Sequence, residues 1–465
     1  MPQDPINPTI LQKAVDAAKP VYANNAIPAD ANGVVSLPVV DAIKHVMDHA
    51  QITVGWETHH YDEGVIGALE AGDIAFTKSK GDTKLRGYEI WDDPENFSTF
   101  MKTGQQQDLP EPFRSNHTDF YGAISRYLAS FQLMQKSQLN DTGTQIQTIH
   151  LLPHDDKSLI YQGVDKDGFL IPDYVDDLQQ LKQTKPEAFK TELERRTGPE
   201  RTELMNQKIH NNLANQSPPY DRIYITAGAD HAGSKTGGKD GKDLDELLAH
   251  NPNTDTPYKV SSIAYTNHLH TKLPPGVYTN KKLDTEIEWG GSTFSTSYDD
   301  QPDLLVNYLP WATPEEFDAR VQSRSFATRK KINDALSPAI SQLDDSQHAI
   351  IILLGFSERP ADVEQLQVNY FNVHTKLKAW DFDGAQKQIA VMEKTYGHDL
   401  GKMTDIITQF RPKIDRQRIS NAVQDYKTAL LTTKTTLENI QNIIKEDAQQ
   451  IPTPTLPKKP TGFDR

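Results

Sequence analysis

Residues 222–248 constrain the fold more than any other stretch. Ile223, Tyr224, Ile225 and Thr226 are β-branched or aromatic and suit a buried strand. A polar loop follows, with glycine at positions 228, 233, 237, 238 and 241. Asp243, Leu244, Glu246, Leu247 and Leu248 then read as the first turns of a helix. Strand, glycine loop and helix in that order is the arrangement in which α/β proteins hold ligands at the carboxyl ends of their strands.

Other segments repeat the theme. Ile52 to Trp56, Ile74 to Thr77, Ile146 to Leu152 and Val260 to Tyr265 read as strands bounded by glycine or polar clusters. Leu159 to Tyr161 and Phe169 to Ile171 flank Asp165-Lys166-Asp167-Gly168, which reads as a β-hairpin with an Asp-Gly turn. A calcium loop is a poor match there, because its first and twelfth positions fall on Gly163 and Tyr174. Val39, Ile43, Val46 and Met47 have helical spacing, as do Phe120, Ile124, Tyr127, Leu128, Phe131 and Met134. Residues 175–215 read as charged helix and 271–311 as loop. Glu315 to Leu343 reads as helix, with Pro338 expected to break or kink it. The apolar run from Ala349 to Leu354 is expected to be a central strand covered on both faces.

From Ala361 the pattern becomes helical throughout. Leu377 to Tyr396 reads as one helix-turn-helix unit. Ile419, Val423, Tyr426, Leu430, Leu437, Ile440 and Ile444 form an apolar seam interrupted by Thr433. The expected organisation is an irregular surface segment over 1–35, an α/β catalytic domain over 36–360, a helical domain over 361–450 and a disordered tail over 451–465. The sheet is expected to be mixed and largely parallel, in an α/β or α+β arrangement.

Composition removes several function classes. A formal charge of −15 argues against nucleic acid as the partner. With no cysteine, thiolate catalysis, disulfides and zinc-thiolate sites are excluded. The amino terminus, MPQDPINPTILQK, lacks the basic and apolar regions of a secretory signal, and no apolar run approaches the roughly 20 residues of a membrane span. The expectation is a chain made in the cytoplasm, with export open only by a route that reads no N-terminal signal.

The chemistry-bearing residues cluster just after the expected strands. Asp230 and His231 follow the strand at 223–226, His268 and His270 follow 260–265, and His154 and Asp155 follow 146–152. If these strands are parallel, their carboxyl ends share one edge and the side chains converge. Imidazole and carboxylate are the ligand set of hydrolytic zinc, manganese or iron sites. His154, Asp155, His268 and His270 are therefore the candidate ligands of a divalent metal, with Asp230 and His231 as acid–base groups. Gly233, Lys235, Gly237 and Gly238 are candidate anion-binding positions beside them. The spacing from Gly228 to Gly233 is that of a P-loop, but Ser234 stands before Lys235 and Thr236 and moves the lysine away from the helix start.

Two resemblances add to this. Trp289-Gly290-Gly291-Ser292 followed by Asp299-Asp300-Gln301 is similar to the glycine-rich signature of poly(ADP-ribose) glycohydrolases, and 349–371 resembles the last strand and helix of a macrodomain. The resemblance implies that Gly290 and Gly291 wrap a diphosphate and that Asp299 or Asp300 handles the ribose. It departs from the family in its third glycine and in having DDQ where the family has QEE. The carboxyl-terminal tail, with Phe463 third from the end, is similar to the translocation signals of bacterial type IV effectors. The leading expectation is a hydrolase acting on a phosphate- or nucleotide-containing group of a small molecule or modified protein. The alternatives are an ADP-ribose-binding or ADP-ribosyl-hydrolysing macrodomain-like protein and a non-catalytic protein that grips a partner through 361–450.

Overall fold

The structure, a computed structural model, describes residues 27–57, 63–88, 145–150, 161–164, 170–172, 199–215, 219–228, 244–251, 256–267, 273–279, 284–289, 292–297, 302–354 and 360–450, with isolated positions 99, 103 and 271. The chain forms two compact units, Met1–Gln322 and Ser323–Arg465. The fold is α/β: a mixed, largely parallel sheet in the first unit, then an all-helical carboxyl-terminal unit.

Among the described residues of the first unit, seven strands form one sheet in the order β3-β2-β6-β1-β7-β11-β8. They are β1 (Ile52–Glu57), β2 (Thr83–Tyr88), β3 (Gln145–His150), β6 (Arg222–Gly228), β7 (Val260–Asn267), β8 (Gly276–Tyr278) and β11 (Leu304–Tyr308). β8 pairs antiparallel with β11, and every other pair is parallel. β1, β7 and β11 are buried along their whole length, as strands covered on both faces must be. Helix α1 (Val39–His49) precedes β1, and α2 (Glu63–Lys78) crosses from β1 to β2. Helix α3 (Pro199–Asn215) leads into β6, and α4 (Leu244–Leu248) leads into β7. The β1-to-β2 and β6-to-β7 crossovers run in opposite directions along the sheet, so right-handed connections put α2 and α4 on opposite faces.

Several expectations are corrected. Ile74 to Thr77 is the last turn of α2, not a strand. Its neighbours Ala68, Leu69, Ala71, Ala75 and Phe76 are buried at helical spacing, and that period outweighs the local β propensity. Residues 271–311 are not mainly loop. They hold β8, β11 and a separate hairpin of β9 (Asp284–Trp289) and β10 (Ser292–Ser297). The amino-terminal segment is not wholly superficial: Ile27, Val34 and Val35 are buried, and Val34 bridges to Tyr278 at the sheet edge. The hairpin around Asp165–Gly168 is present as β4 (Tyr161–Val164) paired antiparallel with β5 (Leu170–Pro172). The helix expected around 120–134 and the tail from 451 lie outside the described residues.

The first unit closes with α5 (Pro314–Phe317), started by a capping box between Thr313 and Glu316, and a π-helical turn at Asp318–Gln322. Asp318 accepts a 2.8 Å bond from the Val39 amide and so supplies the cap that Pro38 does not give α1. Burial pushes the Asp318 carboxyl up to about 6, against the bond from Val39 and with Asp41 and Glu315 adding to the shift.

The second unit is built from α6 (Phe326–Leu354), α7 (Ala361–Lys378), α8 (Phe382–Tyr396), α9 (Gly401–Phe410) and α10 (Arg416–Gln450). The helical unit thus begins at Ser323, well before the expected boundary at 361. The apolar run at Ala349–Leu354 is the end of α6 rather than a central strand: Ser346, Gln347, Ile350, Leu353 and Leu354 are buried while Ile352 is exposed. A short apolar run fits either state, and here it continues a helix that passes through Pro338. Between α7 and α8, Trp380 takes a left-handed φ of 53° and Asp381 accepts from the Gly384 amide at 3.0 Å. The seam of α10 is buried at Ile419, Val423, Tyr426, Leu430, Leu437 and Ile440. Thr433, which interrupts it, is also buried and donates its hydroxyl to the Ala429 carbonyl at 2.8 Å. Among the described residues no helix is long and apolar enough to cross a membrane.

Two outcomes follow from these contacts. Leu437→Asp buries an unpaired carboxylate and should lower stability by about 3 kcal/mol or more, whereas Lys434→Asp, which replaces the part-exposed ion pair to Glu393 with a like-charge contact, should cost about 1 kcal/mol. Equal urea midpoints for the two variants would refute the packing of this helix. For Asp318, folding raises the carboxyl above its ordinary value, so the folded chain holds the proton more tightly. Its contribution is complete below about pH 4 and falls as pH rises through about 6. Relative to Asp318→Asn, the parent protein should lose about 1 kcal/mol between those pH values after allowing for solvent screening, as read from denaturation series at each pH.

Candidate functional site

The parallel strands end together. β1 closes at Glu57, β2 at Tyr88, β3 at His150, β6 at Gly228, β7 at Asn267 and β11 at Tyr308. In register, Glu57 stands opposite Gly228 on one side and Tyr265 on the other, Tyr88 opposite Thr226, and Asn267 opposite Tyr308. This carboxyl edge is where an open α/β sheet presents its ligand-binding segments.

Below the edge, on the face covered by α2, lies a buried polar network. Arg86 of β2 donates from Nε to Asp73 Oδ1 of α2 at 2.6 Å, and both side chains are fully buried. Its Nη1 reaches the Thr226 hydroxyl of β6 at 3.1 Å. The guanidinium lies between two rings, 3.6 Å from the centroid of Tyr88 and 4.1 Å from that of Tyr224. The Tyr88 hydroxyl donates to Asp73 Oδ2 at 3.1 Å, and the hydroxyls of Tyr224 and Tyr265 are 2.7 Å apart. Burial pushes the Asp73 carboxyl up, while Arg86 and the Tyr88 hydroxyl pull it down. Burial opposes the charge on Arg86 most strongly, but Asp73, Tyr88 and Tyr224 together outweigh it and hold the guanidinium above its ordinary range. The short charge-assisted bond fixes the pair as guanidinium and carboxylate. Gly72 lets α2 approach this closely, since a Cβ there would stand 2.7 Å from the Tyr265 hydroxyl. One turn further on, at the carboxyl-terminal end of α2, Lys84 donates to the carbonyls of Phe76, Thr77 and Ser79 at 3.0, 3.1 and 2.7 Å and caps the helix.

The edge also carries polar atoms that the fold leaves open. Thr266 of β7 and Asn307 of β11 are register partners, and both are fully buried. The Asn307 amide nitrogen donates to the carbonyls of Leu273 and Pro274 at 2.9 Å each, which fixes the orientation of the side chain. Among the described residues its Oδ1 and the Thr266 hydroxyl have no hydrogen-bond partner. Two buried acceptors side by side at the end of adjacent strands are suited to a donor on a ligand.

The segments leaving this edge hold the residues expected to act. Asp230 and His231 lie two and three residues past Gly228, and Gly233, Lys235, Gly237 and Gly238 follow. His268 and His270 lie one and three residues past Asn267, and His154 and Asp155 lie four and five past His150. Asp299 and Asp300 are the exception: they come two and three residues after Ser297, the end of β10 in the separate hairpin, and before β11 rather than after a strand of this sheet. All of these are outside the described residues. β6 and β7 flank β1 and run parallel to it, so both chains leave at one edge. The antiparallel pairing that would send them to opposite edges does not occur. Gly290 and Gly291, also outside the described residues, stand in sequence between β9 and β10, whose Trp289 and Ser292 pair. Among the described residues no three His, Cys, Asp or Glu side chains converge as metal ligands.

Thr266, Asn307, Asp73 and Arg86 were not among the expected site residues. A signal for them exists in the alternation of Lys84, Arg86 and Tyr88 along β2, and in polar residues at the ends of otherwise apolar strands. The Asp73–Arg86 pair gives a direct test. Asp73→Leu and Arg86→Met should each cost about 3–5 kcal/mol, and Asp73→Leu/Arg86→Met should cost clearly less than the sum, since no buried charge is then left alone. Additive losses in urea denaturation would show that the two groups do not depend on one another. Comparison with protein-family models, curated proteins and solved structures finds no match, so the reading of this edge rests on its own geometry.

Proposed function

We propose that the carboxyl edge of the sheet is the site of a hydrolase acting on a phosphate- or nucleotide-containing group, carried by a small molecule or a modified protein. The observation that carries the location is the parallel alignment of β6, β1 and β7. It ends Glu57, Gly228 and Asn267 at one edge, beside the open acceptors of Thr266 and Asn307. Support for the chemistry comes from the residue types on the segments that follow. Asp230 and His231 serve as acid–base groups, and His154, Asp155, His268 and His270 supply donors for a divalent metal. The glycines from Gly233 to Gly238, with Lys235, offer backbone amides and a cation to an anionic group.

A macrodomain-like reading keeps Gly290, Gly291, Asp299 and Asp300 as its residues and draws no support from 349–354, which is helical. The interaction reading has one observation in its favour: Ile352, Val368, Phe371, Val391 and Leu431 of the helical unit are exposed.

Elemental analysis of the purified protein, paired with a thermal-shift screen of nucleotides that includes ADP-ribose, separates the three. The hydrolase reading expects a raised melting temperature with a phosphate-bearing ligand. It expects that shift to vanish in His231→Ala and His268→Ala while the unliganded melting temperature stays within about 2 °C, the effect of less than 1 kcal/mol. Binding of ADP-ribose that survives both substitutions and needs no metal would replace it with the macrodomain-like reading. No ligand shift, together with a protein partner held by residues 323–450, would replace it with the interaction reading.

A further inference from the structure

Helix α3 carries a second polar group, on the opposite face of the sheet from α2. Thr202, Asn206 and His210 recur every four residues and share one side of the helix. All three are buried, at 0%, 0% and 3% exposure. Among the described residues neither the nitrogen nor the oxygen of the Asn206 carboxamide has a hydrogen-bond partner. The same holds for Nε2 of His210 and for the buried Nδ1 of His250, just past the end of α4. Buried carboxamides and imidazoles are paired in nearly all folded proteins, so open atoms on Asn206 and His210, one helical turn apart, and on His250, whose ring neighbours that of His210, point to an occupant.

The geometry narrows what that occupant is. The His210 ring is hydrogen-bonded to the backbone of His250, and since Nε2 has no partner the bond is made through Nδ1. A ring held in this way by a backbone carbonyl keeps its other nitrogen as a lone-pair donor, the arrangement found in metal-bound histidines. The two rings lie edge to face with centroids 5.9 Å apart. Imidazole nitrogens bind metals at about 2 Å and the ring centre lies about 1 Å deeper, so two rings on one ion have centroids within about 6.5 Å.

We infer that Asn206, His210 and His250 form a binding site for a divalent transition-metal ion. Two imidazoles and a carboxamide, with no carboxylate, suit zinc, nickel, copper or cobalt rather than magnesium or calcium. Three neutral protein ligands leave a position for water. The site is distinct from the carboxyl edge. The Ala249 carbonyl accepts from the Tyr258 amide, and the Lys259 carbonyl accepts from the Gln51 amide, which puts His250 by the amino-terminal ends of β1 and β7.

The test uses the full chain, stripped with chelator and titrated with Co²⁺ while visible absorption and melting temperature are followed. The parent protein should bind one equivalent here, with a melting temperature that rises on binding. His210→Gln and His250→Gln should each weaken this binding at least tenfold, and His268→Ala should leave it unchanged. Should His210→Gln fail to fold, the part-exposed His250 gives the same readout. The inference is overturned if binding survives His210→Gln and His250→Gln but is lost in His268→Ala, because the ion then belongs to the carboxyl edge. It is equally overturned if no Co²⁺ binds, or if Asn206→Leu raises the melting temperature of the metal-free protein without altering Co²⁺ affinity. The cluster then holds only water.

Discussion

The bond between Asp73 and Arg86 is the contact on which the first unit most depends. Two opposite charges have left water completely, and each is tolerable only because the other is there. The pair joins α2 to β2, and through Thr226, Tyr224 and Tyr265 the same network extends across β6 to β7. It therefore sets the height of α2 over the sheet and the spacing of the strand ends that form the candidate site. A hydrophobic replacement could fill the volume, but it would not fix the rotation of the helix, because apolar contacts are not directional. Gly72 and the Lys84 cap act on the same helix. One permits its close approach and the other satisfies its terminal carbonyls.

Much of this architecture was legible in the sequence, and the failures have a common physical origin. The strands at 52–57, 145–150, 222–228 and 260–267 were readable because β-branched and aromatic runs stop at glycine or polar clusters. Ile74–Thr77 and Ala349–Leu354 were misread because a short apolar run carries no period of its own. Its state is set by the helix that precedes it and by what it packs against. Leu304–Tyr308 was missed for the converse reason: five residues after a polar stretch look like loop until β7 and β8 are seen on either side. That β6 and β7 both end at the same edge as β1 follows from strand direction, which sequence leaves open and pairing decides.

The polar residues that matter most to the two sites were the least visible. Asn206 and His210 look like ordinary surface residues of a charged helix until the helix is seen to bury that side. Thr266 and Asn307 look like the polar ends of strands until their neighbours prove to be filled by other bonds. In both cases the information lies in what a side chain lacks, and that cannot be read from a residue type. Thr433 shows the contrast. It is just as buried, but it finds its partner within its own helix and marks no site.

The strand order has a further consequence for how the chain is made. β1 has β6 and β7 as its neighbours, so Ile52 pairs with Ile223 and Val260 and never with β2. A nascent chain that has emerged as far as Tyr88 already holds two strands and the helix between them, yet has no sheet to join. The centre of the sheet cannot close until residues beyond 260 have been synthesised. At ordinary elongation rates of about 5–20 residues per second, β1 and α2 wait about 10 s or longer with their apolar faces uncovered. Pairings this distant in sequence fold slowly and expose strand edges while they form. The first unit is therefore a domain whose amino-terminal third depends on late-arriving segments, and holdase chaperones would find their longest window on that third.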